Sequence, residues 1–212
     1  MSTMPGTEPL TVTTADGIGL RAELRAPAEP VATAVICHPH PLYGGDMYNN
    51  VVTGLFDHLA LAGVACLRFN FRGSGGSEGQ HGDGRDEQVD VVAAIDELAT
   101  RWPDKPLILA GYSFGADVSL AIDDARIAGW LAIAPPLRVV EVEQMVAGRD
   151  PRPKRLATGT DDDFRAPDQA REATAGWTNH LVVDVPGANH FFMVGMDTVR
   201  STATDLLNEL AA

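Results

Sequence analysis

The 212-residue sequence predicts an α/β fold: a mostly parallel, doubly wound sheet entered through an N-terminal antiparallel hairpin. Three observations predict it. Residues 10–14 and 20–24 alternate apolar and polar side chains on either side of Asp16-Gly17, the pattern of two half-buried strands joined by a turn. After Pro27 and Pro30 the apolar runs become short and unbroken, at residues 31–37, 64–69, 107–110, 130–134 and 181–185, as in strands covered on both faces. Between them lie segments of helical periodicity, at residues 51–62, 86–101, 114–123 and 198–210. Strands alternating with helices of that length build right-handed βαβ units.

The composition fits one domain spanning residues 1–212. Hydrophobic residues make up 45% and charged residues 21%, enough to bury a core without disulfides or metals. The net charge of −13 disfavours nucleic acid and anionic membrane surfaces as partners, since both would repel the chain. The N-terminal residues lack the basic flank and apolar stretch of a signal peptide, no segment approaches the length of a membrane span, and a cytoplasmic protein is expected. Cys37 and Cys66 sit inside apolar runs, where buried, reduced thiols are expected. His38 and His40 form a His-x-His pair, but without a carboxylate or third ligand at matching spacing no metal site is expected. His58, His81 and His180 fall in a helix, a Gly-rich loop and the approach to a strand, and all three are expected to be solvated.

The strongest chemical signal is Gly111-Tyr112-Ser113-Phe114-Gly115, which directly follows a buried strand and opens a helical segment. In that context Gly-x-Ser-x-Gly reads as a nucleophile elbow: the chain turns sharply, and bulk at either glycine would clash. Ser113 then needs a base, and the base needs an orienting carboxylate. His190 stands in the loop after the last apolar run, between it and the final helix. The acid falls in the loop after the run 156–158, where Asp161, Asp162 and Asp163 are consecutive; Asp162 is the first choice and Asp163 the alternative. The backbone N–H of Phe114 supplies one oxyanion donor. The second comes from the loop after residues 31–37; Pro39 and Pro41 carry no N–H, which leaves His40, or else Leu42 or Tyr43.

Two further stretches carry expectations. Residues 135–154 read as a short excursion over the carboxyl edge of the sheet, too short for a separate lid domain. The Gly-rich loop at residues 70–79 lacks dinucleotide spacing, with Glu78 where a small residue should stand. Its expected role is to buttress the oxyanion loop, Arg72 hydrogen-bonding backbone carbonyls; an Arg72 grip on an anionic substrate is the alternative.

Four strings together resemble a known family. They are residues 37–50 (Cys-His-Pro-His-Pro-Leu-Tyr-Gly-Gly-Asp-Met-Tyr-Asn-Asn), 67–79 (Leu-Arg-Phe-Asn-Phe-Arg-Gly-Ser-Gly-Gly-Ser-Glu-Gly), 110–116 (Ala-Gly-Tyr-Ser-Phe-Gly-Ala) and 187–192 (Gly-Ala-Asn-His-Phe-Phe). They look like small, lidless bacterial α/β-hydrolases bearing a His-Pro-His-Pro-x-x-Gly-Gly oxyanion loop, a family of predicted serine hydrolases and esterases. The resemblance implies an α/β-hydrolase fold without a separate lid domain, with Ser113 as nucleophile, Asp162 as acid and His190 as base. The expected reaction is cleavage of a small-molecule acyl ester or thioester through an acyl-enzyme, with no metal or organic cofactor. Two other outcomes stay open: a binding or scaffold protein with little turnover, and a peptidase or carbon–carbon bond hydrolase using the same triad.

Overall fold

A computed structural model describes residues 6–211. Eight strands form one sheet in the order β1-β2-β4-β3-β5-β6-β7-β8. The hairpin is β1 (Thr7–Thr13) and β2 (Gly19–Arg25), antiparallel to each other, and β2 also runs antiparallel to β4. Among the remaining strands every mutual pairing is parallel: β3 (Ala32–Cys37), β4 (Val64–Phe69), β5 (Leu107–Tyr112), β6 (Ile127–Ile133), β7 (Lys154–Gly159) and β8 (His180–Val185). In β3, β4 and β5 every residue is buried, which explains their unbroken apolar sequences.

Helices cover both faces. On one, α1 (Asn50–Leu61) and α5 (Met196–Leu210) lay Leu55, Phe56, Leu59, Val199 and Leu206 over Ile36, Ile108 and Leu131. On the other, α2 (Glu87–Arg101), α3 (Phe114–Leu120) and α4 (Pro167–Ala173) pack with the hairpin around Phe69, Leu109 and Trp130. The Asn49 side chain starts α1 by accepting the Val51 N–H at 2.9 Å. Helix α3 stops three residues earlier than its periodicity suggests, because Ala121 and Ile122 donate to carbonyls three residues back and tighten the last turn.

Several expectations change. Residues 181–185 do not form a doubly covered strand: β8 is the sheet edge and leaves Leu181 half exposed. Helix α4 escapes the periodic pattern because it is short and polar, and it is marked instead by Pro167 at its start and by Gln169 accepting the Ala166 N–H. The stretch 135–154 starts at the carboxyl edge, where the Pro136 carbonyl meets Arg165 of the acid loop, and from there turns inward. It holds two 3₁₀ turns, and Leu137, Val140, Met145 and Ala147 sink into the core beside α2 and α3. No part of the described chain forms a lid domain, and no described helix is long and apolar enough to cross a membrane.

Candidate active site

The carboxyl ends of β3, β5, β7 and β8 open into the loops that carry His40, Ser113, Asp162 and His190. Ser113 follows the central strand β5 with φ 53° and ψ −117°. A side-chain-bearing residue in such a conformation costs about 1–3 kcal/mol, so the surroundings must over-determine it. They do. A Cβ on Gly111 would lie 2.2 Å from the Gly115 carbonyl oxygen, and one on Gly115 would lie 2.5 Å from that of His38. The Ser113 N–H donates to the Ile133 carbonyl at 2.9 Å, tying the turn to β6.

From this turn a chain of hydrogen bonds runs across three loops. Ser113 Oγ lies 2.9 Å from His190 Nε2, and His190 Nδ1 lies 2.9 Å from Asp162 Oδ2. The second Asp162 oxygen accepts the N–H groups of Phe164 at 2.8 Å and Arg165 at 3.2 Å. A carboxylate engaged in this way asks its imidazole neighbour for a proton, so Nδ1 donates and Nε2 is left to accept from the serine hydroxyl. Asp162 and His190 are both buried, whereas Asp161 and Asp163 are exposed. The Asp161 carboxylate accepts from Thr160 Oγ1 at 3.1 Å instead. Tyr112, inside the elbow motif, donates its hydroxyl to the His190 carbonyl at 2.6 Å and so holds the histidine loop against β5. Phe164 stacks on the imidazole, ring centroids 4.3 Å apart.

Residues 28–160 match the family described as serine aminopeptidase, S33. The chain belongs to this family of α/β serine hydrolases. An uncharacterized protein of Rickettsia prowazekii (strain Madrid E) is 32% identical over 199 residues, 89% of this chain and 83% of that protein. An α/β serine hydrolase homologue from Coxiella burnetii superposes with a TM-score of 0.84 at 29% identity, covering 99% of this chain and 100% of that one. An α/β serine hydrolase without a lid from Xanthomonas campestris does so with a TM-score of 0.85 at 28% identity, covering 99% and 96%.

In this serine hydrolase the N–H groups of Phe114 and His40 have no acceptor among the described residues. Leu42 and Tyr43, the alternative donors, are engaged: Leu42 N–H meets His40 Nδ1 at 3.3 Å and Tyr43 N–H meets the His40 carbonyl at 3.1 Å. The rings of His40 and Phe114 lie 4.8 Å apart, so the β3 loop and the elbow are in contact. The segment after β4 buttresses this loop through Asn70 and Phe71. Asn70 Oδ1 accepts the Met47 N–H at 2.8 Å. Arg72, against both expectations, contacts neither carbonyls nor open solvent but pairs with buried Asp90 and with Asp16.

Three side chains here hold positions that the sequence did not reveal. His38 is fully buried; its Nδ1 lies 2.6 Å from the Pro39 carbonyl and its Nε2 accepts the Phe71 N–H at 2.9 Å. Burial pushes its pKa down to about 4. His81 is not solvated: its ring sits 4.9 Å from that of His40 and 5.3 Å from that of Phe114, and Nδ1 lies 2.7 Å from buried Glu87. Asp117, one turn beyond Ser113, accepts the N–H groups of Leu137, Arg138 and Val139 at 2.9–3.0 Å. Burial pushes its pKa up to about 6 while those N–H groups pull the other way.

The His38 bridge has a measurable consequence. A histidine whose folded pKa lies below its unfolded value of about 6.5 adds stability that is complete above pH 6.5 and lost as pH falls toward 4. The loss is on the order of 2–3 kcal/mol. Urea titrations between pH 4 and 7 are expected to show it, and His38→Gln, which keeps an acceptor for Phe71, is expected to remove most of the slope. An unchanged slope in that variant would assign the acid sensitivity to other groups.

Proposed function

We propose that the chain hydrolyses small carboxylic esters or thioesters through an acyl-enzyme, with Ser113 as nucleophile, His190 as base and Asp162 as orienting acid. The observation that carries this is the continuous hydrogen-bonded path from Ser113 Oγ through His190 to Asp162. His190 Nε2 takes the hydroxyl proton as Oγ bonds to the substrate carbonyl carbon. The Phe114 and His40 N–H groups receive the oxyanion, each such donor being worth about 3 kcal/mol in the transition state. The tetrahedral adduct collapses, His190 returns the proton to the leaving alkoxide or thiolate, and water repeats the sequence on the acyl-enzyme. Leu42, Tyr43, Phe164, Phe191, Met193 and Val194 are exposed on the loops beside His40, Asp162 and His190, and this apolar rim suits an acyl or alcohol chain lying across an open site. A cytoplasmic location belongs to the same proposal.

A fluorophosphonate probe tests the chemistry directly. One adduct on Ser113, absent in Ser113→Ala, is expected; a folded sample without an adduct would favour the scaffold alternative. A panel of aryl esters, thioesters and amino-acid anilides then separates the acyl classes, with esters or thioesters expected to be the faster substrates. Faster turnover of amino-acid anilides would move the assignment to an aminopeptidase, the activity in the name of the matched family.

A further inference from the structure

The guanidinium of Arg138 has no function in the chemistry above, and its surroundings are unusual for this chain. Acidic residues outnumber basic ones by 29 to 16, and most arginines are held by carboxylates, as Arg68 is by Glu23 and Arg171 by Asp184. Arg138 is exposed, and its guanidinium makes no ion pair or hydrogen bond among the described residues. It lies over the ring of Phe164, 5.3 Å from the centroid. The same ring carries the His190 imidazole at 4.3 Å. Imidazole and guanidinium therefore both pack on the Phe164 ring, which sets a positive charge without an ion pair beside the site.

The base of this arginine is fixed from two directions. Its own N–H donates to Asp117 Oδ2 at 2.9 Å, and Asp117 sits on α3 four residues after Ser113. Two residues earlier, the Pro136 carbonyl accepts from Arg165 Nε at 3.1 Å and Nη2 at 2.9 Å, and the Arg165 N–H in turn binds Asp162. The segment bearing Arg138 is thus tied both to the nucleophile helix and to the acid loop. An arginine resting on an aromatic face keeps its edge donors free, and that edge binds a carboxylate or phosphate in bidentate fashion.

We infer that Arg138 is an anion-binding subsite and that the substrate is an ester carrying a carboxylate or phosphate at the end remote from the scissile carbonyl. The inference rests on the serine-hydrolase function proposed above. The apolar rim takes the intervening chain and the guanidinium takes its charged end. In a protein of net charge −13, the Arg138 guanidinium supplies a local attraction that the overall field opposes.

The test uses 4-nitrophenyl esters of ω-carboxy and ω-phosphono acids of increasing chain length, each paired with its uncharged methyl-ester counterpart. For at least one chain length the charged ester is expected to exceed its neutral partner in kcat/KM by about tenfold or more, the scale of a charge-assisted hydrogen-bonded pair. That ratio is expected to collapse toward one in Arg138→Ala, to be partly kept in Arg138→Lys, and to fall with added salt. The length and head group of the best substrate distinguish carboxylate from phosphate. Calorimetry of the same esters on Ser113→Ala reads the subsite without turnover, so a failed esterase assay does not hide it. Tighter binding of the charged ester, lost in the Ser113→Ala, Arg138→Ala double variant, supports the subsite even if the esters prove poor substrates. Equal kcat/KM and equal binding for charged and neutral esters throughout the series, or a preference that survives Arg138→Ala, would overturn it.

Discussion

Replacing His190 by alanine is expected to lower kcat/KM for a responsive ester by roughly 10³- to 10⁶-fold, the range over which triad members act as a unit. In the proposed triad the imidazole has two tasks that no neighbour duplicates. Its Nε2 is the acceptor at 2.9 Å from Ser113 Oγ, and its Nδ1 joins the serine to the buried Asp162. Neither His40 nor His81 is within hydrogen-bond distance of Ser113, so no second imidazole is poised to substitute. The fold should tolerate the change: the Tyr112 hydroxyl binds the residue 190 carbonyl rather than its ring, so the histidine loop keeps its tether to β5. Circular dichroism and a thermal melt of the variant check that point, and the rate on a short-chain aryl ester checks the chemistry. A loss below tenfold in a folded variant would remove His190 from the role of base.

The three consecutive aspartates give the second large effect. Asp162→Asn is expected to reduce turnover by about 10⁴-fold, because an amide hydrogen opposite Nδ1 favours the tautomer with the proton on Nε2, where the serine hydroxyl must donate. Asp161→Asn and Asp163→Asn are expected to change kcat/KM by less than about threefold, since both carboxylates are exposed and screened by solvent. The contrast is sharper than any single value, as the three variants differ by one atom at adjacent positions. Equal effects at two of the three would mean that the acid loop rearranges when substrate binds.

Much of this molecule is legible in one dimension because it depends on local chemistry. Unbroken apolar runs reveal β3, β4 and β5, since a strand with helices on both faces has no solvent side to mark. The elbow is legible because Gly111 and Gly115 stand where a Cβ would strike backbone oxygen, a constraint that leaves glycine as the only residue that fits. The choice among the aspartates is not local. Asp161 and Asp163 have the same chemistry as Asp162, and only the turn held by the Phe164 and Arg165 N–H groups points one of them at His190.

The same distinction explains the expectations that changed. Residues 135–154 alternate too irregularly to reveal a partner, and their course into the core depends on Asp117, a carboxylate on another element that collects three of their N–H groups. His81 appears solvated in sequence because its neighbours are glycines, yet the fold places it against His40, Phe114 and Glu87. Arg72 finds Asp90 eighteen residues away, across the space between a loop and α2. By itself, then, the sequence determined the fold class, the central strands and the Ser113 turn, all consequences of burial period and of steric limits between neighbours. The tertiary structure alone decided which aspartate meets His190, what His38 holds together and where Arg138 stands on Phe164. Those contacts join residues far apart in the chain, and no short-range pattern encodes the direction in which a polar side chain points.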